Sequence, residues 1–367
     1  MNGFALSQAR AIPKQMANNR KIRSHRRYQV LVPMAALILG TSALLSQAAD
    51  RFPYTVSLLN VPGTAKSINS IGQIIGQASD STGTYGYIYQ NGTIQKIANL
   101  PTIPGGFPLT NNFPDAINNA GQVIGFCYDS NFLNVIGYLR NADGTMVNFY
   151  NLTGSIYCVP TAINNNGAAV GQVGSHEGEA KGFLYQNGTL TYLGTYQGFT
   201  LFAGNCINDG GQIVATYFSH RAVLITGTEI RPLGDLSRKY PDDLVSAMNN
   251  KAEIVGRSGF VNAYPAFFYF DGRIHNVGYW SPYAINNAGQ VVGQTSVTPP
   301  SPAVIYTGGK LHNLDDLIDP NSGFSIYSAG AINDLGQILA LCTTKSAPST
   351  YLNCLLIPTG KSVSSEQ

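Results

Sequence analysis

One ten-residue phrase recurs along this chain and constrains its fold more than any other feature. Its clearest copy is AINNAGQVVG at residues 284–293, and an Asn after Ile or Met marks every copy. The seven copies place this residue at Asn69, Asn118, Asn164, Asn208, Asn249, Asn286 and Asn333. The intervals between them are 49, 46, 44, 41, 37 and 47 residues. Periods of this size are typical of propellers and solenoids.

The phrase predicts a strand, a tight turn and a second strand. A type I turn favours Asn at its first position and Gly at its fourth, and six copies have Gly three residues after the Asn. The Asn side chain can also bind backbone two residues further on. We therefore interpret the seven Asn as structural turn residues, with an Asn ring that binds a ligand as the alternative. The fifth copy has Ala252 instead of Gly, and a left-handed Ala costs roughly 1 kcal/mol.

A second small residue lies in the middle of the following strand. It is Gly76, Gly125, Gly171, Gly256 and Gly293 in five copies, and Ala215 and Ala340 in the others. Because Gly weakens a strand, its recurrence predicts that a neighbouring group approaches the backbone closely.

Each unit continues with two further strands around a Gly-containing turn. Strong hairpin signals follow four of the phrases, at Asn91-Gly92, Asp143-Gly144, Asn187-Gly188 and Asp271-Gly272. Four short strands in up-and-down order are the content of one propeller blade.

The two ends of the repeat array complement one another. The last unit stops without a fourth strand, whereas residues 52–59 form an unassigned strand before the first unit. Closing the ring with this N-terminal strand would remove the exposed edges of an open array. We therefore predict an all-β fold, a seven-bladed β-propeller of four-stranded blades. The linear solenoid is the alternative.

The N-terminus is typical of a secretory signal peptide. Residues 1–48 hold seven of the 22 Lys and Arg residues and none of the 19 Asp and Glu residues, and an apolar run follows at 30–45. We expect a signal over 1–49, the propeller over 50–361 and a disordered tail over 362–367. Translation from Met16 would give a signal of ordinary length. The rival interpretation is an uncleaved membrane anchor, but the run is short and contains Pro33.

The remaining chain is mildly acidic. It carries 15 Lys and Arg residues against 19 Asp and Glu residues, a net charge of −4. This balance argues against nucleic acid as a partner. We expect an exported monomer (secreted, periplasmic or at the cell surface) without a stable membrane span after cleavage.

The phrase resembles that of the extracellular repeat family known by its His-Ala-Phe triplet. In that family an IN-x-x-G-Q-V-V-G phrase precedes an apolar strand and a Gly turn, and the resemblance covers nearly all of residues 52–360. The triplet position holds Tyr85-Gly86-Tyr87, Ile136-Gly137-Tyr138, Lys181-Gly182-Phe183 and Pro265-Ala266-Phe267 here, so its His is absent. The resemblance implies export and a repeat fold, and little about activity.

No residue pattern in the chain indicates catalysis, a metal site or a cofactor. The histidines His176, His220, His275 and His312 lack chelating spacing. The acidic stretch with Asp315, Asp316, Asp319 and Asn321 lacks the alternating ligands of a calcium loop. Aromatic residues in variable loops, such as Phe107, Phe113, Tyr196 and Phe199, suit recognition of carbohydrate or protein, although packing of the loops over the blades explains them too.

Five cysteines follow the signal: Cys127, Cys158, Cys206, Cys342 and Cys354. Cys342 and Cys354 flank one predicted hairpin, which makes them the best candidates for a disulfide. The alternative is that the cysteines are small buried apolar residues.

Three functions remain open from the sequence. The first is an exported binding or scaffold module for a surface glycan or protein, acting through loops on one face. The second is a propeller hydrolase or lyase with acidic residues converging at the channel mouth. The third is a purely structural repeat protein of the cell surface.

Overall fold

Each copy of the phrase forms the first two strands of a four-stranded antiparallel sheet. The computed structural model describes residues 52–102, 106, 108–174, 180–218, 220–236, 243–258, 265–295 and 302–360. The predicted signal and the predicted tail lie outside these residues. Seven such sheets form a seven-bladed β-propeller, so the predicted fold class is confirmed.

The first three blades follow one another along the chain. Blade 1 contains β2 (Thr64–Ile68), β3 (Ile74–Asp80), β4 (Gly83–Gln90) and β5 (Thr93–Ile97). Blade 2 contains β6 (Leu109–Ile117), β7 (Val123–Asp129), β8 (Val135–Arg140) and β9 (Met146–Asn148). Blade 3 contains β10 (Cys158–Ile163), β11 (Ala169–Val173), β12 (Lys181–Gln186) and β13 (Thr189–Tyr192).

The next three blades repeat this order. Blade 4 contains β16 (Ala203–Ile207), β17 (Ile213–Tyr217), β18 (Arg221–Thr226) and β19 (Glu229–Pro232). Blade 5 contains β20 (Asp243–Met248), β21 (Ile254–Ser258), β22 (Ala266–Phe270) and β23 (Arg273–Asn276). Blade 6 contains β24 (Trp280–Ile285), β25 (Val291–Thr295), β26 (Ala303–Thr307) and β27 (Lys310–Asn313).

Blade 7 is built from both ends of the repeat array. Its strands are β28 (Phe324–Ile332), β29 (Ile338–Thr344), β30 (Ala347–Pro358) and β1 (Tyr54–Leu58). β1 pairs antiparallel with β30, with Val56 opposite Leu356. The prediction that the N-terminal strand closes the ring is therefore confirmed.

Short elements lie between some blades. They are the helix α1 (Tyr150–Thr153), the hairpin β14 (Thr195–Tyr196) with β15 (Phe199–Thr200), and a 3-10 turn (Leu314–Leu317).

The up-and-down strand order gives the disc two different faces. Turns within the phrases and turns between third and fourth strands lie on one face, here called the turn face. Connections from second to third strands and from blade to blade lie on the opposite face, the loop face. The longer and less regular connections therefore gather on the loop face.

The core fills the spaces between neighbouring blades. Ile88 of blade 1 packs with Ile117 and Val123 of blade 2, for example, and Ile305 of blade 6 packs with Ile338 of blade 7. Burial of apolar faces between sheets, rather than one central core, therefore stabilises the ring.

The recurring mid-strand Gly has the close neighbour that its recurrence predicts. A Cβ on Gly293 would lie 2.0 Å from the carbonyl oxygen of Ser281, and one on Gly125 would lie 2.4 Å from that of Phe113. An aromatic ring of the third strand also covers this position in four blades: Tyr87, Tyr138, Phe183 and Phe267. Only a residue without a side chain admits both neighbours.

The turns follow the predicted chemistry with two informative variations. Ala252 has a φ of 57°, the left-handed conformation expected when Ala replaces Gly. Asn91, Asn187 and Asp271 all have positive φ and are each followed by a positive-φ Gly, as in a type I′ turn. At Asp143-Gly144 only Gly144 has positive φ, because Asn141 forms a longer turn closed by its hydrogen bond with Thr145.

Candidate functional site

The seven turn Asn side chains lie buried near the centre of the disc, close to the turn face. Each side-chain oxygen accepts a hydrogen bond from the backbone N–H four residues further on. The donors are the amides of Gln73, Gln122, Ala168, Gln212, Glu253, Gln290 and Gln337. The Asn backbone carbonyl meanwhile accepts from the Gly or Ala that ends the turn. Each Asn therefore organises its own hairpin.

The same side chains also connect the blades in a closed circle, here called the Asn ring. Each Nδ2 donates to the backbone carbonyl of the turn Asn in the next blade. Six of these bonds follow the chain, each joining one member of the series to the next, with lengths between 2.9 and 3.4 Å: Asn69, Asn118, Asn164, Asn208, Asn249, Asn286 and Asn333. Asn333 completes the ring by donating to the carbonyl of Asn69 at 3.0 Å. Each Asn side chain thus uses its oxygen and at least one amide hydrogen within the protein.

The Gln of the phrase is the second partner of the Asn amide. Asn69 Nδ2 donates to Gln73 Oε1 at 2.8 Å, and Asn286 Nδ2 donates to Gln290 Oε1 at 2.9 Å. Glu253 takes this role in blade 5, whereas blade 3 has Ala168 at the position. Sequence reasoning missed this role, although the repeated Gln was visible in the phrase.

The residue after each turn Asn forms a second circle at the turn-face opening, here called the mouth layer. Its members are Ser70, Asn119, Asn165, Asp209, Asn250, Asn287 and Asp334, and they border a cavity of about 170 Å³. In six cases the side-chain oxygen accepts a backbone N–H from the preceding blade. The mouth layer therefore reinforces the contacts between the turns.

Two carboxylates, Asp209 and Asp334, converge on this mouth, but both are occupied by hydrogen bonds. Asp209 accepts from the backbone and side chain of Asn165 and from Asn250. Partial burial alone would raise the pKa of Asp209, but these hydrogen bonds outweigh it and hold the pKa below its usual value. Such a group stays ionised at neutral pH and is poorly suited to act as a general acid.

Every inner strand carries a β-bulge three residues before its turn Asn. The extra residue is left out of the pairing with the second strand in all seven blades. These residues are Lys66, Asp115, Thr161, Asn205, Ser246, Tyr283 and Gly330, here called the bulge layer. A bulge redirects one side chain, and here it does so on the strand edge that faces the channel.

The side chains of the bulge layer differ from blade to blade in charge and size. Lys66 of blade 1 forms an ion pair with Asp115 of blade 2, and their side chains are 48% and 22% exposed. Thr161 donates to the carbonyl of Gly204 in the next blade at 2.5 Å. Such exposure in the innermost strands indicates a solvent-filled channel at this level, because neighbouring inner strands cover the flanks.

Sequence reasoning missed the bulge layer because its residues share no side-chain type. One signal was available: Pro114, Pro160 and Pro282 each stand just before the bulge residue. A Pro inside a strand marks an edge strand or a bulge.

Exposed aromatic side chains occupy several places on the loop face. Phe113, Tyr128 and Phe132 stack in sequence, with centroid distances of 5.0 and 4.6 Å. Phe199 of β15 stacks on Phe218 at 4.7 Å. Phe113 itself lies in the inner strand β6, not in a variable loop as expected, and Phe107 lies outside the described residues.

The loop that presents Phe132 is held in place by a buried carboxylate. Asp129 accepts hydrogen bonds from the amides of Asn131 and Leu133 and from the side chain of Asn134. Phe132 has a φ of 58° and is 68% exposed. Positive φ is unfavourable for a bulky residue, so the loop holds this ring outward at a conformational cost.

The polar candidates considered in the sequence do not come together. His220, His275 and His312 lie on blades 4, 5 and 6, and His275 stacks on Phe270 at 4.0 Å. His176 lies outside the described residues. Among the residues that the structure describes, no three His, Cys, Asp or Glu side chains form a metal-binding group.

Asp315, from the acidic stretch, has a structural role. Its carboxylate accepts from the backbone amide of Ile326 at 2.6 Å and from the hydroxyl of Ser325 at 2.7 Å. These bonds fix the 3-10 turn against β28.

Cys342 and Cys354 lie buried on the neighbouring strands β29 and β30 as free thiols. Cys354 stands opposite Ala340 and Cys342 opposite Leu352, so the two cysteines are diagonal neighbours on one face. The hydrogen bond between them lowers the pKa of Cys342 and raises that of Cys354. Diagonal Cα atoms are about 7–8 Å apart, and disulfides need about 4.4–6.8 Å. The disulfide stays a prediction, which alkylation before and after reduction would test.

The other three cysteines are also buried, in different blades. Burial raises the pKa of Cys127 to about 11 and that of Cys158 and Cys206 to about 12. These thiols are therefore unreactive at neutral pH.

The part of the chain that the structure describes contains no helix with the length and apolar character to cross a membrane.

Comparisons with known proteins support the fold and leave the function open. No protein-family model matches the chain, and no curated protein matches it. One similar solved structure is a catalytically inactive virginiamycin B lyase from Staphylococcus aureus with quinupristin, at a TM-score of 0.51 and 10% identity. The match covers 83% of this chain and 99% of that one.

A second similar structure is the β-propeller domain of the trilobed protease from Pyrococcus furiosus, which has an open velcro topology. Its TM-score is also 0.51 at 10% identity, covering 70% of this chain and 82% of that one. At this identity, both similarities show the propeller fold alone.

Proposed function

We propose that this chain is an exported propeller that acts as a binding or scaffold module, with carbohydrate or protein as its partner. The observation that carries the proposal is the gathering of exposed aromatic side chains on the loop face. Phe132, Phe199, Phe218 and Tyr279 all lie in connections on that face. Exposed rings held on a rigid scaffold are typical of recognition surfaces.

The two faces differ in a way that supports this choice. On the turn face, the Asn and Gln side chains bind one another and the backbone, so the repeated polar residues serve the ring. On the loop face, the connections vary from blade to blade, and Tyr279 is 64% exposed. Adjoining exposed apolar groups in a rigid protein favour a partner. On the loop face, Phe132 stacks on Tyr128 and Phe199 stacks on Phe218.

The enzyme alternative would depend on acids that are free to act. The two carboxylates at the turn-face mouth, Asp209 and Asp334, accept hydrogen bonds from neighbouring Asn side chains. The binding role agrees better with this arrangement than proton transfer does.

Export and membership of the His-Ala-Phe repeat family belong to this proposal. The basic and apolar N-terminus and the INNAGQVVG phrase support them. Fractionation of cells that express the full chain, with N-terminal sequencing of the mature protein, tests export. Cleavage after Ala48 or Ala49 and recovery outside the cytoplasm are expected, and retention of residues 1–48 in the cytoplasm would contradict it.

The binding role is tested with the protein over residues 49–367, expected to be a monomer. It is applied to an array of neutral and charged glycans and to an extract of cell-surface proteins. A triple variant, Phe132→Ser, Phe199→Ser and Tyr279→Ser, should lose the captured partner. The matched control, Ile71→Ser with Leu335→Ser, removes exposed apolar residues of the turn face and should bind as the parent does. Equal loss in both variants would contradict a loop-face site, and absence of any partner would favour the structural alternative.

A further inference from the structure

We propose that the bulge layer, with the tyrosines beside it, binds one neutral sugar unit that enters the channel from the loop face. This inference rests on the proposed binding function and names its ligand class and its residues. The central observation is that the β-bulge of the inner strand, which all seven blades share, presents a different side chain in each blade.

The bulge position varies more than the residues on either side of it and more than the turn Asn. The residues on both sides of the bulge are small or apolar in all blades, and the turn Asn does not vary. Gly330 shows that the bulge forms without a side chain, and a Cβ there would meet nothing within 4 Å. Six blades instead carry polar side chains at this point: Lys66, Asp115, Thr161, Asn205, Ser246 and Tyr283.

The direction of entry follows from the layers of the channel. Between the bulge layer and the Asn ring lie seven apolar side chains, Ile68, Ile117, Ile163, Ile207, Met248, Ile285 and Ile332. A polar ligand that enters from the turn face would have to pass the occupied Asn ring and then this apolar layer. From the loop face it reaches the polar bulge layer first.

The charge of the layer selects a neutral ligand. Its one cation and one anion, Lys66 and Asp115, already pair with each other. A phosphate or a metal ion would need an excess of one sign, which this layer lacks. The layer offers an ammonium group, a carboxylate, an amide and hydroxyls, which are donors and acceptors suited to the hydroxyls of a sugar.

One buried acceptor lacks a donor within the protein. Among the described residues, Oδ1 of Asn205 is buried and accepts no hydrogen bond. A buried polar group without a partner is costly, on the order of 1–3 kcal/mol. A ligand hydroxyl can satisfy it once the Asn205 side chain turns toward the channel, because the acceptor atom itself is buried.

An aromatic wall stands beside these polar groups. Tyr283 is 41% exposed, and its Oη lies 3.4 Å from Oε1 of Gln294. Nε2 of the same Gln294 donates to the carbonyl of Tyr327, whose ring lies 4.4 Å from that of Tyr351. Flat rings beside hydrogen-bonding groups suit a sugar ring, which has an apolar face and polar edges.

An extended peptide fits this channel less well. Peptides commonly bind by adding a strand to a free sheet edge, and the inner strands are such edges. The bulge interrupts the regular hydrogen-bonding row of each inner strand, which discourages strand addition.

The test measures binding of the 49–367 protein to immobilised neutral monosaccharides and disaccharides, followed by calorimetry with the best of these in solution. Asp115→Asn, Asn205→Ala and Tyr283→Ala should each weaken binding by about tenfold or more while the unfolding temperature changes little. The matched control is Asp80→Asn. It removes an exposed carboxylate that pairs with Lys96 within blade 1, and it should bind as the parent does.

The outcomes separate this inference from the proposed function. Sugar binding that survives all three substitutions overturns the bulge-layer site and leaves a loop-face binding role standing. Capture of an extract protein without binding of any neutral sugar overturns the ligand class alone. Failure to bind either kind of partner overturns both.

Discussion

The side chain of Asn333 donates a hydrogen bond to the backbone carbonyl of Asn69, 3.0 Å away, and so joins the last blade to the first. These residues are 264 positions apart in the sequence. The same bond recurs between all six remaining pairs of neighbouring blades. One Asn per repeat therefore both shapes a turn and helps to close the ring.

Loss of one ring Asn should destabilise the protein. In Asn286→Ala, the part-buried amides of Ala288 and Gln290 and the buried carbonyl of Asn333 lose their side-chain partner. We expect a loss of about 3 kcal/mol in the free energy of unfolding, because unsatisfied buried groups cost about 1–3 kcal/mol each. Chemical denaturation measures it. Asn287→Ala, one position later and closer to solvent, is the control and should lose less than about 1 kcal/mol. Equal losses would contradict the special role of the ring.

Gly293 should not tolerate even one methyl group, although blades 4 and 7 accommodate Ala215 and Ala340 at the equivalent position. Gly293→Ala places a Cβ 2.0 Å from the carbonyl oxygen of Ser281. We expect a loss of about 3 kcal/mol or more, since backbone must move to relieve the overlap. Gly330→Ala is the control, because a Cβ there has no neighbour within 4 Å. Its denaturation midpoint should be equal to or above that of the parent, and a similar loss in both variants would refute this explanation.

The turn of blade 5 should gain stability from the residue that the other repeats use. Ala252 has a φ of 57°, which costs about 1–2 kcal/mol for a residue with a Cβ. Gly adds flexibility to the unfolded chain, so we expect Ala252→Gly to stabilise by only about 0.5 kcal/mol. In the blade 6 turn, Ala288→Gly removes a Cβ from a residue without positive φ and should destabilise slightly. A lower denaturation midpoint for Ala252→Gly than for the parent would show that the left-handed conformation of Ala252 does not strain the turn.

The loop that presents Phe132 should loosen in acid. Burial alone would raise the pKa of Asp129, but its hydrogen bonds from Asn134, Leu133 and Asn131 outweigh this effect and lower the pKa below its usual value. A carboxyl with a lower pKa in the folded state stabilises the fold above about pH 4, and this contribution is lost as the pH falls through the folded pKa. The free energy of unfolding of the parent, measured by chemical denaturation, should therefore exceed that of Asp129→Asn by less at about pH 2.5 than at neutral pH. A difference that stays constant with pH would contradict the assignment.

Ring closure can be tested by removing β1. A protein over residues 60–367 leaves β30 without its outer neighbour β1. It also exposes the pocket that Tyr54 fills, since Tyr54 is only 4% exposed in the complete ring. Free strand edges promote aggregation. Compared with 49–367, the shorter protein should unfold at lower temperature and associate on size-exclusion chromatography. Identical behaviour of the two would show that the ring does not need this strand.

The repeat made the blades and their closure predictable. Local turn chemistry is encoded within four consecutive residues, such as those from Asn286 to Gly289, and the Asn–Gly pair recurs in six of the seven copies. The missing strand at one end and the surplus strand at the other then indicated how the ring closes.

The bulge layer could not be predicted in the same way. Lys66, Asp115 and Tyr283 share neither charge nor size, so they give no periodic signal. The hydrogen bonds between blades in the Asn ring could not be predicted for another reason. Six of them join residues 37–49 positions apart and the seventh joins residues 264 positions apart, and their proximity depends on how the blades pack.

The reactivity of one introduced cysteine shows whether the bulge side chains face an open channel. The described native cysteines are all buried, so they react slowly with a small thiol reagent such as iodoacetamide. Ser246→Cys places a thiol at the exposed bulge of blade 5, and Ala329→Cys places one at a fully buried position of blade 7. If the channel is open, the first thiol is modified rapidly in the folded protein and the second is modified slowly. Modification of Ser246→Cys as slow as that of the native cysteines would contradict an open channel.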